Sequence, residues 1–267
     1  PAVGSAIRIA NSTGIANAIT TAEFLHGNPD YPYRNAYKVY VPGNRYAYYL
    51  NSTLLLNKSI EFFGDNSYYS NQTILRVPVN TTGISITSSQ SNTRQVYLHD
   101  LKIVSGDLTD NSVYEPESST IHGIDISTVV HINNVSVYGF PGDGFHLYGD
   151  LIVNSSNVSF SRITNCESHH NSRHGFYIEG PDANGCTFEG FDSRLNKVWG
   201  YFDASGSGNT YISCDSHNNG PGAPGGTPSS PGGGYHTQGG ESNTSVFLGG
   251  YMEQGADLYS ENTNAAP

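Results

Sequence analysis

Charge is scarce in this sequence: 12 Lys and Arg and 23 Asp and Glu make up 13% of 267 residues, and the formal net charge is −11. Lys and Arg nowhere cluster, so the counterion release that drives binding along a nucleic-acid backbone has no source. An anionic membrane surface is excluded on the same ground. Long apolar runs are missing too, and no stretch approaches the ~20 residues of a membrane-spanning helix. The N-terminus does not look like a signal peptide; beginning at Pro1, the chain reads as a processed product or a fragment. With one Met and almost no window rich in Ala, Leu, Glu and Lys, a helical architecture is disfavoured. Three cysteines, Cys166, Cys186 and Cys214, cannot all pair within one chain and read as small buried apolar residues. No C-x-x-C spacing suggests zinc or redox chemistry, and the sequence calls for no metal or cofactor.

What the chain has instead is 31 Gly, 19 Tyr and many β-branched residues, the material of strands and tight turns. Solubility rests on Asn, Ser, Thr and Tyr. Nine N-x-[ST] triplets begin at Asn11, Asn51, Asn57, Asn71, Asn80, Asn134, Asn154, Asn157 and Asn243. They are candidate glycosylation sites and fit a glycosylated surface protein.

Two short patterns recur. The first is Gly, apolar, any, apolar: Gly83-Ile84-Ser85-Ile86, Gly123-Ile124-Asp125-Ile126, Gly144-Phe145-His146-Leu147 and Gly175-Phe176-Tyr177-Ile178, with weaker copies at Gly200-Tyr201-Phe202-Asp203 and Gly234-Tyr235-His236-Thr237. The second is apolar, any, a small or turn-forming residue, apolar. It runs Leu98…Asp100-Leu101, Ile132…Asn134-Val135, Ile163…Asn165-Cys166, Phe188…Gly190-Phe191, Tyr211…Ser213-Cys214 and Leu248…Gly250-Tyr251. The two alternate strictly, six copies each. Successive Gly copies lie 40, 21, 31, 25 and 34 residues apart, too uneven for an array of whole helices but natural for short strands whose joining loops bulge outward. Each triplet has strand period two. Stacking such triplets at the ~4.8 Å inter-strand distance gives a parallel β-helix.

The expected organisation is an N-terminal segment over 1–36, a parallel β-helix over 37–254, and a polar tail over 255–267. Ser12 or Thr13 would cap a short helix whose Ile15, Ile19 and Ala22 share a face, covering the open end of the first coil. Loops are expected at 105–120 and 219–234, the second rich in Gly, Pro and Ser and of weak order. The tail is too polar and short for a second capping helix, which leaves the last coil to be covered by a partner. Homotrimeric association is the leading expectation, end-to-end stacking the next.

These residues carry a resemblance. The capping helix followed by Val39-Tyr40-Val41-Pro42-Gly43, Leu54-Leu55-Leu56 and Phe63-Gly64-Asp65 resembles the opening of the pectate-lyase-like right-handed β-helix superfamily, close to its viral tailspikes. Asn165-Cys166 with Asn171, His174-Gly175-Phe176-Tyr177-Ile178, Asp182-Ala183-Asn184 and Gly208-Asn209-Thr210-Tyr211-Ile212 are similar to its middle coils. The resemblance spans roughly residues 12 to 254 and implies an all-β, single right-handed parallel β-helix. The superfamily holds pectate lyases, polygalacturonases, uronan epimerases and tailspikes that bind or cut polysaccharide, so it implies a carbohydrate ligand without fixing a reaction. Arg173-His174-Gly175 loosely resembles the polygalacturonase Gly-His-Gly segment, and Asp143-Gly144-Phe145-His146 its paired-aspartate strand. The second aspartate and the downstream Arg-x-Lys pair are absent.

If the apolar residues point inward, the position two after each Gly points outward, as does the position two further on. The resulting strip holds Asp125, His146, Tyr148, Tyr177, Glu179, Phe202 and His236. Exposed rings beside carboxylates and imidazoles suit sugars, so Tyr148, Tyr177, Phe202 and His236 are candidate carbohydrate-binding residues. Cross-strand stacking that only stabilises the sheet is the competing explanation. A further column, directly before each Gly, holds His122, Asp143, His174 and Trp199, with Asp143 and His174 a possible acid/base pair. Asp125, Glu179, His146, Asp143 and His174 are the candidate catalytic residues. Asp125 and Glu179 lie two coils apart, about 9.6 Å by strand spacing, at the wide edge of the ~6.5–9.5 Å used by inverting glycosidases. With no Arg on the strip, a lyase lacks the positive charge that would stabilise its carbanion. Three readings follow: a carbohydrate-binding β-helix of a virion or cell surface, a polysaccharide-degrading enzyme, and a structural glycoprotein of a surface assembly.

Overall fold

Every copy of the Gly-apolar-any-apolar pattern forms a strand that pairs in parallel with the next copy. The computed structural model describes residues 12–26, 37–44, 46–57, 59–65, 72–87, 96–106, 114–153, 155–206, 208–224, 232–239, 245–253 and 256–262. Within these residues the fold is all-β and parallel, with one 15-residue helix and a single 3-10 turn. Its strands form one eight-stranded and one 14-stranded sheet.

The eight-stranded sheet stacks its strands in chain order: Leu54–Leu56, Ile84–Ile86, Ile124–Ile126, Phe145–Tyr148, Phe176–Gly180, Trp199–Ser205, Gly233–Gly239 and Ala256–Asn262. Ile84, Ile124, Phe145, Phe176 and Tyr201 occupy one column, each paired with the next, and all are at most 1% exposed. The glycine before each triplet has a steric cause. A Cβ on Gly144 would lie 1.8 Å from Ser168 Oγ and 2.7 Å from Gly175 O. One on Gly175 would lie 1.9 Å from Ser193 Oγ and 2.9 Å from Gly200 O. No side chain fits where successive repeats approach this closely.

The second pattern builds the larger sheet, and its turn-forming residue is left-handed in every copy. Asp100, Asn134, Asn165, Gly190, Ser213 and Gly250 have φ of 59°, 56°, 52°, 60°, 48° and 102°. Gly, Asn and Asp tolerate that region best. The flanking apolar residues are buried in the first five copies. The sixth departs from expectation. Tyr211 pairs with Phe247, not Leu248, and Leu248 and Tyr251 are more than half exposed. Asp215 pairs with Tyr251 in the same register, so the sixth copy lies one residue earlier than the pattern placed it, with Phe247 in the slot given to Leu248; a one-residue shift turns each side chain to the opposite face.

Between the two sheets runs a buried polar column. Asn171 and Asn196 donate from backbone N and Nδ2 to Oδ1 of the next member, Asn196 and Asn219 respectively, at 2.8–3.1 Å. Ser168 and Ser193 donate to the carbonyls of Gly175 and Gly200 at 2.7 and 2.8 Å. All five side chains are essentially inaccessible, so their hydrogen bonds are internal. The three cysteines are buried and free. Burial pushes the thiols of Cys166 and Cys186 up to about 12 and that of Cys214 to about 11, as befits small apolar residues.

The helix spans Ser12–His26 and buries Ile15 and Ile19 against the first strands. Ala22 lies in it, but its side chain is outside the described residues. In the expected loops, Ser105 ends a strand and 107–113 are outside the description. Asn219 joins the buried column, Gly220–Gly222 forms the 3-10 turn, Gly233 starts a strand, and 225–231 are outside the description. The stretch expected as a tail contributes the strand Ala256–Asn262, paired with Gly233–Gly239. No helix among the described residues is long and apolar enough to cross a membrane.

Candidate functional site

Parallel register makes equivalent residues of successive repeats into neighbours. Asp125 pairs with His146, His146 with Tyr177, Tyr177 with Phe202, and Phe202 with His236. Tyr148 pairs with Glu179. All seven alternate with buried core positions and are partly exposed, so the strip expected from the sequence lies on one face of the eight-stranded sheet.

The rings stack along this column. Tyr177 and Phe202 are 5.0 Å apart between centroids and 10° from parallel; Phe202 and His236 are 4.5 Å apart at 22°. His146 lies 5.3 Å from Tyr177 on the other side. The faces of Tyr177 and Phe202 are thus taken by neighbouring rings, and it is their edges that meet solvent. A sugar therefore has no free face of Tyr177 or Phe202 to lie flat on, because stacking at strand spacing consumes the faces.

The polar groups converge on His146. Its Nδ1 is 2.9 Å from Asp125 Oδ1 and its Nε2 is 3.1 Å from Glu179 Oε1. Glu179 also accepts a 2.5 Å hydrogen bond from the Tyr177 hydroxyl through Oε2. Burial would lower the His146 pKa, but its hydrogen bonds to Asp125 and Glu179 and the nearby carboxylates lift it to about 9. Glu179 falls below the usual carboxylate range, chiefly through its bond to His146. Asp125 is raised by burial and lowered by more through His146, ending below its ordinary value. The space between Asp125 and Glu179 is therefore filled by an imidazole. An inverting glycosidase keeps that gap open for water, so this arrangement does not serve such a pair.

Beneath the strip lies the column that precedes each Gly. Asp143 is fully buried, His122 is 3% exposed and His174 5%. The expected Asp143–His174 acid/base pair does not form. Asp143 Oδ1 accepts from the backbone N of His174 at 3.1 Å, while the His174 ring Nδ1 is met by Trp199 N at 3.3 Å. Burial lowers the His174 pKa to about 4. The charge partners of Asp143 are His122, at 3.1 Å from Nδ1, and Arg173, at 3.4 Å. Burial would raise its carboxyl, yet those neighbours and His174 bring it down to about 2. His122, Asp143 and His174 are thus buried beneath the strip, while Trp199 of the same column is half-buried.

Two features escaped the sequence reading. His122 stacks on His146 at 4.3 Å, and one ligating atom from each of His122, Asp125 and His146 lies within 4.8 Å of the others. These three could hold a metal ion. Their spacing in the chain gives no motif, because adjacency comes from repeat register. The second is Asp203, 1% exposed at a position where the pattern calls for an apolar residue. It accepts from Ser205 N and Oγ, Asn209 Nδ2, Tyr211 OH and Ser245 Oγ at 2.5–3.3 Å.

Of the sequons, Asn51 and Asn80 are exposed, whereas Asn57, Asn134 and Asn157 are half-buried. Asn134 Nδ2, the atom a glycan would occupy, donates to Asp100. Asn11, Asn71, Asn154 and Asn243 are outside the described residues.

No protein-family model matches the chain, and no curated protein does. Among solved structures, a rhamnogalacturonan lyase aligns at TM-score 0.45 and 17% identity, covering 87% of this chain and 62% of its own. ORF18 of Geobacillus virus E2 aligns at TM-score 0.41 and 14% identity, covering 94% of this chain and 59% of its own. The chain spans about three-fifths of the length of each.

Proposed function

We propose that the repeats wind as a single right-handed parallel β-helix at a cell or virion surface, and that the outer face of its eight-stranded sheet binds a polysaccharide. The observation that carries this reading is the unbroken register of Asp125, His146, Tyr177, Phe202 and His236 beside Tyr148 and Glu179. It sets carboxylate, imidazole and phenol groups at strand spacing along one face, a geometry suited to the hydroxyls of an extended chain of sugars. With Asp125 and Glu179 both ionised and a net charge of −11, the face favours a neutral or amino-bearing glycan over a polyuronate. Recognition is by hydrogen bonds to ring edges and carboxylates. Asn51 and Asn80 are the sequons open to glycosylation, and a homotrimer is the proposed assembly.

Binding of the purified chain to an array of neutral, amino-bearing and acidic polysaccharides tests this reading. Retention of one neutral or amino-bearing class, lost in Glu179→Ala, is expected. Binding to none, or equal binding by a folded Glu179→Ala variant, sinks it. A second reading, polysaccharide cleavage, draws on the Tyr177–Glu179–His146 hydrogen-bond chain as a proton path. Release of new reducing ends from the bound glycan would establish it.

A further inference from the structure

Three carboxylates, Asp125, Asp143 and Glu179, surround two stacked imidazoles, His122 and His146, and Arg173 lies 3.4 Å from Asp143. The His122 and His146 rings are both fixed from behind, by different groups. His122 Nδ1 faces the Asp143 backbone N at 3.2 Å and the buried Asp143 carboxylate at 3.1 Å, which leaves Nε2 as its outward nitrogen. His146 Nε2 lies 3.1 Å from Glu179, itself fixed by the Tyr177 hydroxyl, which leaves Nδ1 toward Asp125. For His146, a far nitrogen bound to a carboxylate is the usual state of a metal-ligating histidine, oriented and made more basic. Asp143 adds a further sign: it is wholly inaccessible, and its Oδ2 has no well-aligned hydrogen bond to satisfy it.

We propose that His122 Nε2, His146 Nδ1 and an Asp125 carboxylate oxygen bind a divalent transition-metal ion of the Zn²⁺ class, with Asp143 and Glu179 as the supporting carboxylates. Two imidazoles and one carboxylate select Zn²⁺, Co²⁺ or Ni²⁺ over Ca²⁺, which takes oxygen ligands only. Tetrahedral ligands at ~2.1 Å stand about 3.4 Å apart; atoms now within 4.8 Å of one another reach this by shifts of little more than about an ångström, the His146–Asp125 pair, now at 2.9 Å, by opening slightly. Three protein ligands leave one coordination position open. Asp125, 39% exposed, puts that position at the solvent side of the strip, where a hydroxyl or water would complete the shell. Metal binding is independent of the glycan reading and is measured without any glycan.

The test is calorimetric titration of the full chain with Zn²⁺, Co²⁺ and Ca²⁺, with visible absorption to read Co²⁺ coordination. One Zn²⁺ per chain, tetrahedral Co²⁺ bands and no Ca²⁺ heat are expected. Asp125→Ala and His146→Ala should each weaken Zn²⁺ at least tenfold, and Glu179→Gln by about 10–100-fold. His131→Ala and His217→Ala, remote from the cluster, should leave it unchanged. Asp125 is at the surface, so its variant keeps the experiment decisive if a histidine variant does not fold. No Zn²⁺ binding by the parent, an unchanged isotherm in folded Asp125→Ala, or preference for Ca²⁺ would overturn the proposal. A chain that binds glycan but not Zn²⁺, or the reverse, separates this proposal from the previous one.

Discussion

Asp125 and Glu179 belong to strands two repeats apart, yet they grip opposite nitrogens of the same imidazole, His146, at 2.9 and 3.1 Å. The relation depends on register alone. His146 pairs with Asp125 on one side, while Glu179 lies one pleat beyond Tyr177, its partner on the other. Two carboxylates that look like a hydrolytic pair in a column of letters are, in space, the two arms of a clamp.

Ring edges should matter more than ring faces for any glycan held here. Tyr177→Phe removes a hydroxyl at the solvent edge and should weaken binding by about 1 kcal/mol, the worth of one hydrogen bond. Phe202→Leu, which alters a ring covered on both faces, should cost less than half of that. Paired titrations of the two variants decide it; the reverse order would restore face stacking.

Gly175→Ala should destabilise the fold by about 1–3 kcal/mol, because the added methyl has no space beside Ser193 Oγ and Gly200 O and the backbones must part. Urea denaturation reads this as a lower midpoint at unchanged slope. A variant as stable as the parent would show that the repeats are not packed this closely.

Asp203→Leu should destabilise even though it restores the apolar letter of the repeat. It takes the acceptor from the buried Tyr211 hydroxyl, at about 1–3 kcal/mol for a group left unsatisfied, and removes one bond each from Asn209 and Ser245. A loss of about 3 kcal/mol overall is expected in chemical unfolding. An unchanged or raised midpoint would mean that the polar cluster contributes nothing.

Acid should begin to weaken the fold before its carboxylates titrate. Burial, aided by Arg194, Lys102 and His170, lowers the His169 pKa to about 2, while an unfolded His takes up a proton near 6.5. Below pH ~6.5 the unfolded chain thus binds more protons, so stability present above that pH declines as pH falls toward 2. His169→Gln should flatten the dependence of Tm between pH 6.5 and 4.5. An identical slope in the variant would assign the effect to other groups.

Much of this was legible in the sequence because the parallel register repeats its letters. Inward Ile84 to Tyr201, outward Asp125 to His236, and the turn at Asp100, Asn134 and Asn165 all follow from two short patterns. The last turn misled, since Phe247 and Leu248 are both apolar and Gly249 and Gly250 both fit a left-handed turn, so the letters allow either alignment and the pairing of Tyr211 with Phe247 decides it. The direction of His122, Asp143 and His174 was also hidden. They sit where the chain bends, and period two says nothing about a bend. The clamp on His146 needs side-chain reach between neighbouring pleats, which a column of letters does not express.

The buried asparagines carry a consequence for how faithfully the chain assembles. Asn171 and Asn196 each donate twice to the amide oxygen of the member one repeat on, Asn196 and Asn219 respectively. The loops between repeats differ in length, so apolar triplets alone could settle on the wrong neighbour at little loss of buried area. An amide placed opposite the wrong residue would lose its bonds to the neighbouring amide while sealed away from water, at a cost no loop can relieve. The column thus acts as a proofreading device: each newly laid repeat is accepted only when its amide meets the one before it.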